Sequence, residues 1–240
     1  MCRIEDAVLR AWTSVASSTP STQTDSHPRP RSTSVGKAAA FATGLVIAML
    51  SSRAGAMPVS GGNTVQRLYD ALLITMEHGP TLGRAGRFAQ LEPVIRRSFD
   101  LPAMARLSIG ASWASMTEAQ RQQVTESFTR YISAIHVDRF DSYAGQKLQV
   151  VGEQPATTGV TVHSQIIKAN GEPVQIDYML HGTGDGWLIA DIYLDGAISE
   201  VATRRSEFAA IIRTGGVDGL IAALDRKADM LAGATVSAAN

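Results

Sequence analysis

The segment from Phe99 to Gln123 (FDLPAMARLSIGASWASMTEAQRQQ) constrains the fold of this chain more than any other stretch. Asp100 is placed to cap a short helix whose first turn contains Pro102, where a missing N–H costs no hydrogen bond. Thr117 and Gln120 have the spacing of a capping box and predict the start of a long second helix. The link between the two helices is unusually apolar, with Met104, Leu107, Ile109 and Trp113. We therefore expect this link to be packed against the rest of the domain.

Apolar residues at helical spacing predict four helices in the first half of the mature chain and two at its end. The first begins at Asn63 or Thr64 and ends at Gly79-Pro80, and the second covers roughly Arg84–Arg97. The others are predicted at Leu101–Ile109, Glu118–Tyr143, Ile198–Arg213 and Val217–Leu231.

Between these helical regions the apolar period changes from helical spacing to strict alternation. Asn170-Gly171 is a hairpin signal, and Gly182–Gly186 predicts a second turn between strands. The pattern predicts a four-stranded antiparallel meander over residues 148–194. Helices, then strands, then helices imply a single α+β domain in which a helical layer packs on one face of the sheet.

The front quarter of the chain has a different character. Residues 13–34 are rich in Ser, Thr and Pro and have no apolar period. Residues 1–34 are therefore expected to be disordered or a mis-annotated extension, with Val35 as an alternative start. Lys37, an apolar run of 13 residues at Ala38–Leu50 and the Ala54-x-Ala56 site predict a secretory signal at residues 35–56. An uncleaved anchor is the alternative. The folded domain is expected to be residues 57–240, exported after removal of this signal.

Charge and cysteine content narrow the function further. Residues 57–240 carry 16 Lys and Arg against 19 Asp and Glu, a net charge of −3, with no basic cluster in the sequence. We therefore do not expect this domain to bind nucleic acid. Cys2 precedes the leader, so the exported domain has no thiol and depends on its core for stability.

The sequence offers few catalytic or metal-binding patterns. The histidines of the predicted domain stand in separate elements without a metal-ligand partner nearby in sequence, and neither HExxH nor G-x-S-x-G occurs. Asp191 and Asp195 would share a face of one strand, but edge charges or a helix cap explain them better than a catalytic pair. We expect no catalytic residue, no metal and no cofactor.

The Phe99–Gln123 segment and the sequence Tyr143-Ala-Gly-Gln-Lys147 resemble the MlaC family of periplasmic phospholipid-binding proteins, also called the toluene-tolerance family. The likeness covers most of Val65–Leu231 and is greatest for the hopanoid-associated HpnM branch. Where relatives often carry Tyr before an Arg-Ser-x-Phe stretch, this chain has Arg204.

The resemblance implies an apolar cavity between the sheet and the helices, in which lipid tails are held. Our predicted pocket residues are Met104, Trp113, Tyr131, Ile135, Tyr178 and Trp187. The implied function is a soluble, non-enzymatic carrier of phospholipid or hopanoid that shuttles between inner-membrane and outer-membrane lipid transport complexes. The alternative is a small periplasmic hydrolase or isomerase that uses Asp191, Asp195 or Tyr178 together with a histidine.

Overall fold

A computed structural model describes residues 60–233, and Val59–Asn240 form one compact unit. Within the described residues the helices are α1 (Gly61–Glu77), α2 (Gly79–Ser98), α3 (Leu101–Ile109), α4 (Glu118–Arg139) and α5 (Glu200–Ala232), with a 3-10 helix at Gly110–Ser115. The strands are β1 (Lys147–Ala156), β2 (Gly159–Ile167), β3 (Pro173–Thr183), β4 (Gly186–Leu194) and β5 (Ile198–Ser199). The predicted extension and signal peptide lie outside the described residues. None of the described helices has the length and apolarity of a membrane span.

The strands form one antiparallel sheet in the order β1-β2-β3-β4-β5. The α+β class and the meander of β1 to β4 are confirmed, but the described sheet has five strands where four were predicted. The fifth, β5, pairs with β4 through Tyr193 opposite Ser199 and Leu194 opposite Ile198. Two residues are too few to show alternation, so β5 leaves no periodic signal in the sequence.

Both predicted hairpin turns are present. Gly171 has a φ of 88°, and its N–H donates to the Lys168 carbonyl at 2.9 Å. The second turn connects Thr183 to Gly186 directly between β3 and β4. Because it leads into a strand, its glycines form a hairpin and have no helix N-terminus at which to hold a phosphate.

Glycines with left-handed φ interrupt two of the helices. Gly216 in α5 has φ 67° and ψ −170°, and Gly83 in α2 has φ 61° and ψ −178°. These conformations are strained for any residue with a Cβ. The kink at Gly216 divides α5 into two halves that correspond to the two closing helices predicted from the sequence. α4 ends at Arg139, before the predicted end at Tyr143.

Helix α1 lies against one face of the sheet. Its apolar stripe is buried and consists of Val65, Leu68, Tyr69, Leu72 and Met76. At its first residue, Gly61, a Cβ would come within 2.8 Å of the Val160 side chain and 3.2 Å of Val162. Gly61 therefore permits the close approach of α1 to β2.

The connection between α2 and α3 joins the helical layer to the edge of β4. Phe99 forms a parallel bridge with Ile189, and the Asp100 N–H donates to the Ile189 carbonyl at 2.9 Å. The Asp100 carboxylate accepts from the Ala103 N–H at 3.1 Å, as the sequence predicted for a cap of α3. Its other oxygen accepts from Nε2 of His181 on β3 at 2.8 Å. One residue thus joins α3, β3 and β4.

We expect Asp100→Ala to lower the free energy of unfolding by about 1–2 kcal/mol, because α3 loses its cap and His181 loses its acceptor. Asp100→Asn retains an oxygen for the Ala103 N–H and should recover at least half of that loss. Urea unfolding near neutral pH measures both. Equal destabilisation by the two substitutions would show that the cap contributes nothing.

Candidate functional site

The sheet turns one face toward the helices, and that face is almost entirely apolar. Strand register places Val162, Tyr178 and Ile192 side by side on it. The buried side chains of this face are Leu148, Val160, Val162, Ser164, Ile166, Ile176, Tyr178, Leu180, Ile189 and Leu194. Burial of this surface against the helices makes the interior of the domain the candidate site for an apolar ligand.

One small polar cluster interrupts this apolar face beneath α1. The Ser164 hydroxyl donates to the Ile176 carbonyl at 2.6 Å, so the Tyr69 hydroxyl, also 2.6 Å from Ser164 Oγ, is the donor to Ser164. The rings of Tyr69 and Tyr178 meet edge to face with centroids 5.9 Å apart. Burial raises the pKa of Tyr69 and raises that of Tyr178 well above its usual value of 10. Both phenols are therefore neutral hydrogen-bonding groups that fix α1 on the sheet.

A second polar cluster joins α4 to α5. The Arg204 guanidinium lies over the Tyr131 ring, 5.0 Å from its centroid, and donates to the Tyr131 hydroxyl at 2.9 Å. Its other terminal nitrogen donates to Glu200 one turn earlier, also at 2.9 Å. The side chains of Arg204 and Glu200 are only 4% and 10% exposed. A buried guanidinium needs such a carboxylate, because an unpaired buried charge is strongly destabilising.

His136 lies next to this cluster in an aromatic environment. Its ring contacts Phe99 edge to face at 5.5 Å and stacks on Phe140 at 6.2 Å. Its Nδ1 lies 2.8 Å from the Ile132 carbonyl and must carry the proton there. Burial, with Arg139 and Arg204 nearby, lowers the pKa of His136 from 6.5 to about 4. The imidazole is therefore neutral near pH 7.

The six predicted pocket residues differ in burial and in the layer of the fold to which they belong. Met104, Tyr131, Ile135 and Tyr178 are buried, whereas Trp113 and Trp187 are half-buried. Tyr178 and Trp187 lie on the sheet beside α1, where the Trp187 carbonyl accepts from the Thr64 hydroxyl at 3.1 Å. The other four lie in the helical layer, on α3, the 3-10 helix and α4. Their contact with a ligand stays a prediction.

The two aspartates considered for catalysis do not share a face of one strand. Asp191 lies in β4, but Asp195 follows the end of the strand in a turn with a φ of 49°. The Asp191 carboxylate accepts from the Ser199 hydroxyl at 2.5 Å and the Val201 N–H at 3.1 Å. Asp191 therefore holds the start of α5, which agrees with the helix-cap interpretation.

The structure also contains a histidine–aspartate pair that the sequence pattern did not indicate. On the outer face of the sheet, Nδ1 of His163 lies 2.9 Å from Asp177, which also accepts from Gln175 at 3.1 Å. His163 and Asp177 are opposite each other in the register of β2 and β3. Such a pair emerges only after register is known. The sequence analysis did not identify the Glu200–Arg204 pair either. Opposite charges at i, i+4 in a predicted helix are a signal that could have indicated this ion pair.

The chain belongs to the MlaC family. Residues 66–226 match the family described as MlaC protein. The chain is also similar to a solved structure, the phospholipid-binding protein from Ralstonia solanacearum in complex with a phospholipid. The two are 27% identical with a TM-score of 0.63, and the match covers 72% of this chain and 99% of the other. The family resemblance stated from the sequence is confirmed, and the narrower HpnM assignment stays a prediction.

Substitutions at Phe128 and Ile135 on α4 can distinguish a core position from a predicted pocket-wall position. Phe128 is 1% exposed and packs edge to face on Phe208 at 6.2 Å, so Phe128→Ala should cost about 3–5 kcal/mol of unfolding free energy. Ile135→Ala should cost less and should reduce lipid retention more. Thermal unfolding and mass spectrometry of co-purified lipid test this. Equal destabilisation by Ile135→Ala with unchanged lipid would assign Ile135 to the core.

The lowered pKa of His136 predicts a pH dependence of stability. The unfolded chain binds a proton at His136 below about pH 6.5, whereas the folded protein binds it only near pH 4, so stability falls as pH drops between these values. The loss attributable to His136 should approach about 3 kcal/mol at the lower end. Urea unfolding of wild type, His136→Leu and the exposed control His78→Gln across this range isolates the effect. An unchanged pH slope in His136→Leu would contradict it.

Proposed function

We propose that this protein is a lipid carrier that holds the tails of a phospholipid or hopanoid in its apolar interior. It is exported through its N-terminal signal and moves lipid through the periplasm between inner-membrane and outer-membrane transport complexes. The observation that carries this proposal is the family match over residues 66–226, together with a relative that was solved with a phospholipid bound.

Physical chemistry explains why such a carrier is needed. Two acyl chains expose on the order of 30 methylenes to water, at about 0.8 kcal/mol each, so leaving a bilayer unaided costs roughly 25 kcal/mol. A soluble domain with an apolar interior lowers that barrier by replacing water with protein. Retention of the head group near the surface avoids burying its charge.

The pocket that we propose is lined by the buried side chains of Met104, Tyr131, Ile135 and Tyr178. Trp113 and Trp187 are half-buried, which suits positions nearer the pocket mouth. Met104 is flexible enough to fill space when no lipid is present. The charges of Arg204 and Glu200 compensate each other and His136 is neutral, so none of these groups adds an unpaired charge to the interior that would hold lipid tails.

A carrier also explains the arrangement of the polar groups better than an enzyme does. Asp191, which the enzyme alternative would use, is occupied in holding α5. Tyr178 contacts Tyr69 beneath α1, and burial keeps its phenol neutral. We therefore propose binding and transfer without chemical conversion of the lipid.

Organic extraction and mass spectrometry of the purified exported form test this proposal. We expect phospholipid or hopanoid near a one-to-one ratio with protein. Delipidated protein should melt lower, and the true cargo at about 100 times its Kd should restore about 2.7 kcal/mol, or roughly 5–10 °C. The lipid that restores more identifies the cargo.

Delipidated protein to which no lipid is added back serves as the reference in the same melting series. A protein that purifies without lipid, and whose melting is unchanged by either lipid, would contradict the carrier proposal. Hydrolysis or isomerisation of an added lipid by the same preparation would favour the enzyme alternative.

A further inference from the structure

An exposed surface at the end of α3 combines arginine, leucine and tryptophan side chains. Leu107 is 42% exposed, Arg106 and Arg205 are exposed, and Trp113 and Arg121 are half-buried. We call these five residues the Trp113 surface. The predicted pocket and the polar clusters described above leave its arginines and its leucine without a role.

Contacts among four elements place Arg205, Trp113 and Arg121 around the end of α3, where Arg106 and Leu107 lie. Gly110 ends α3, and its N–H donates to the Arg106 carbonyl. A Cβ at Gly110 would come within 2.7 Å of Nε of Arg205, so the guanidinium from α5 lies directly against the end of α3. Three residues later, Trp113 lies beneath the guanidinium of Arg121, 5.9 Å from the ring centroid. Arg121 also donates to the Trp113 and Ala114 carbonyls at 3.2 and 3.3 Å, which holds the 3-10 helix against α4.

The charge of this surface is opposite to that of the domain. Residues 57–240 carry a net charge of −3, yet three arginines adjoin the 3-10 helix. The Arg106 carbonyl accepts from its first residue, Gly110, the Arg205 guanidinium lies against Gly110, and Arg121 lies over Trp113. Arg121 has a carboxylate partner in Glu118 at 3.7 Å. Among residues 60–233, neither Arg106 nor Arg205 has a carboxylate within ion-pair distance. Two guanidinium groups are thus available to an external anion.

The chemistry of the set matches the interface of an anionic bilayer. Arginine binds phosphate through two parallel hydrogen bonds. Tryptophan favours the head-group level of a bilayer, where its apolar ring contacts lipid and its N–H can still bond to water. An exposed leucine beside them can enter the boundary between head groups and tails. These residues could also contact a protein partner. A phospholipid bilayer fits them better, because it offers phosphate for the arginines and a head-group layer for the tryptophan.

We propose that the Trp113 surface docks this protein on a membrane that contains anionic phospholipid, with Arg106 and Arg205 on phosphates and Leu107 and Trp113 at the head-group level. This inference rests on the proposed carrier function, since docking places the protein where lipid is taken up or released.

Sedimentation with vesicles of phosphatidylcholine, with and without phosphatidylglycerol, tests the docking proposal. The exported form beginning near Met57 is used, because Val59–Asn240 form one compact unit and the apolar leader would itself insert. We expect binding to phosphatidylglycerol vesicles that weakens with salt. Arg106→Gln/Arg205→Gln should reduce the partition coefficient about fivefold for each arginine, roughly 25-fold together.

The matched control is Arg213→Gln/Arg226→Gln. It removes the same total charge from two exposed positions on α5, the helix that carries Arg205. Arg213 lies about 12 Å along the helix from Arg205, beyond the Debye length at ordinary salt, so the control should change partition less than about twofold. Leu107→Ser should weaken binding severalfold, whereas Ile74→Ser, at another exposed apolar residue, should not. Thermal melting verifies that each variant is folded.

Equal partition of the Arg106/Arg205 variant and the wild type would overturn the proposal, as would equal losses in the two arginine pairs. Lipid content of the same preparations is measured separately by mass spectrometry. Protein that binds vesicles but carries no lipid would support the docking surface and contradict the carrier function. Lipid-loaded protein that ignores anionic vesicles would contradict docking alone.

Discussion

Three of the hydrogen bonds of Asp100 determine how the helical layer meets the sheet. Its N–H fixes the chain to the edge of β4, one carboxylate oxygen starts α3, and the other accepts from His181. Phe99, immediately before it, is 2% exposed and contacts His136 on α4. The position of α4 relative to the sheet therefore depends on this connection. The same contacts therefore determine the dimensions of any cavity between the two layers.

Periodicity and capping signals were sufficient to predict most of the fold. α3 has the predicted bounds, and the capping box of Thr117 and Gln120 is present at the start of α4. The exact ends of helices were less certain, as for α4, because terminal residues are decided by tertiary contacts. Strand β5 could not be predicted, since a two-residue pairing leaves no periodic pattern. The kink at Gly83 lies immediately before Arg84, where the second helix was predicted to begin.

The candidate site was less accessible to sequence reasoning than the fold. Burial of Met104, Tyr131, Ile135 and Tyr178 follows from their apolar stripes, but which of them meet a ligand depends on space between elements. The contacts of Tyr131 with Arg204 and of Tyr69 with Ser164 join residues 73 and 95 positions apart. Such pairs become visible only once helices and strands are assembled. In both clusters the polar atoms satisfy one another, so the surrounding interior can stay apolar.

Photo-cross-linking tests our proposal that lipid tails occupy the interior between the sheet and the helices. A phospholipid with a photoreactive group at the end of one acyl chain is loaded into the exported form, and the labelled peptides are mapped by mass spectrometry. We expect labels on the α4 peptide that contains Tyr131 and Ile135 and on the β3 peptide that contains Tyr178. Labels confined to exposed surfaces, or labelling equal to that of a head-group probe, would contradict it.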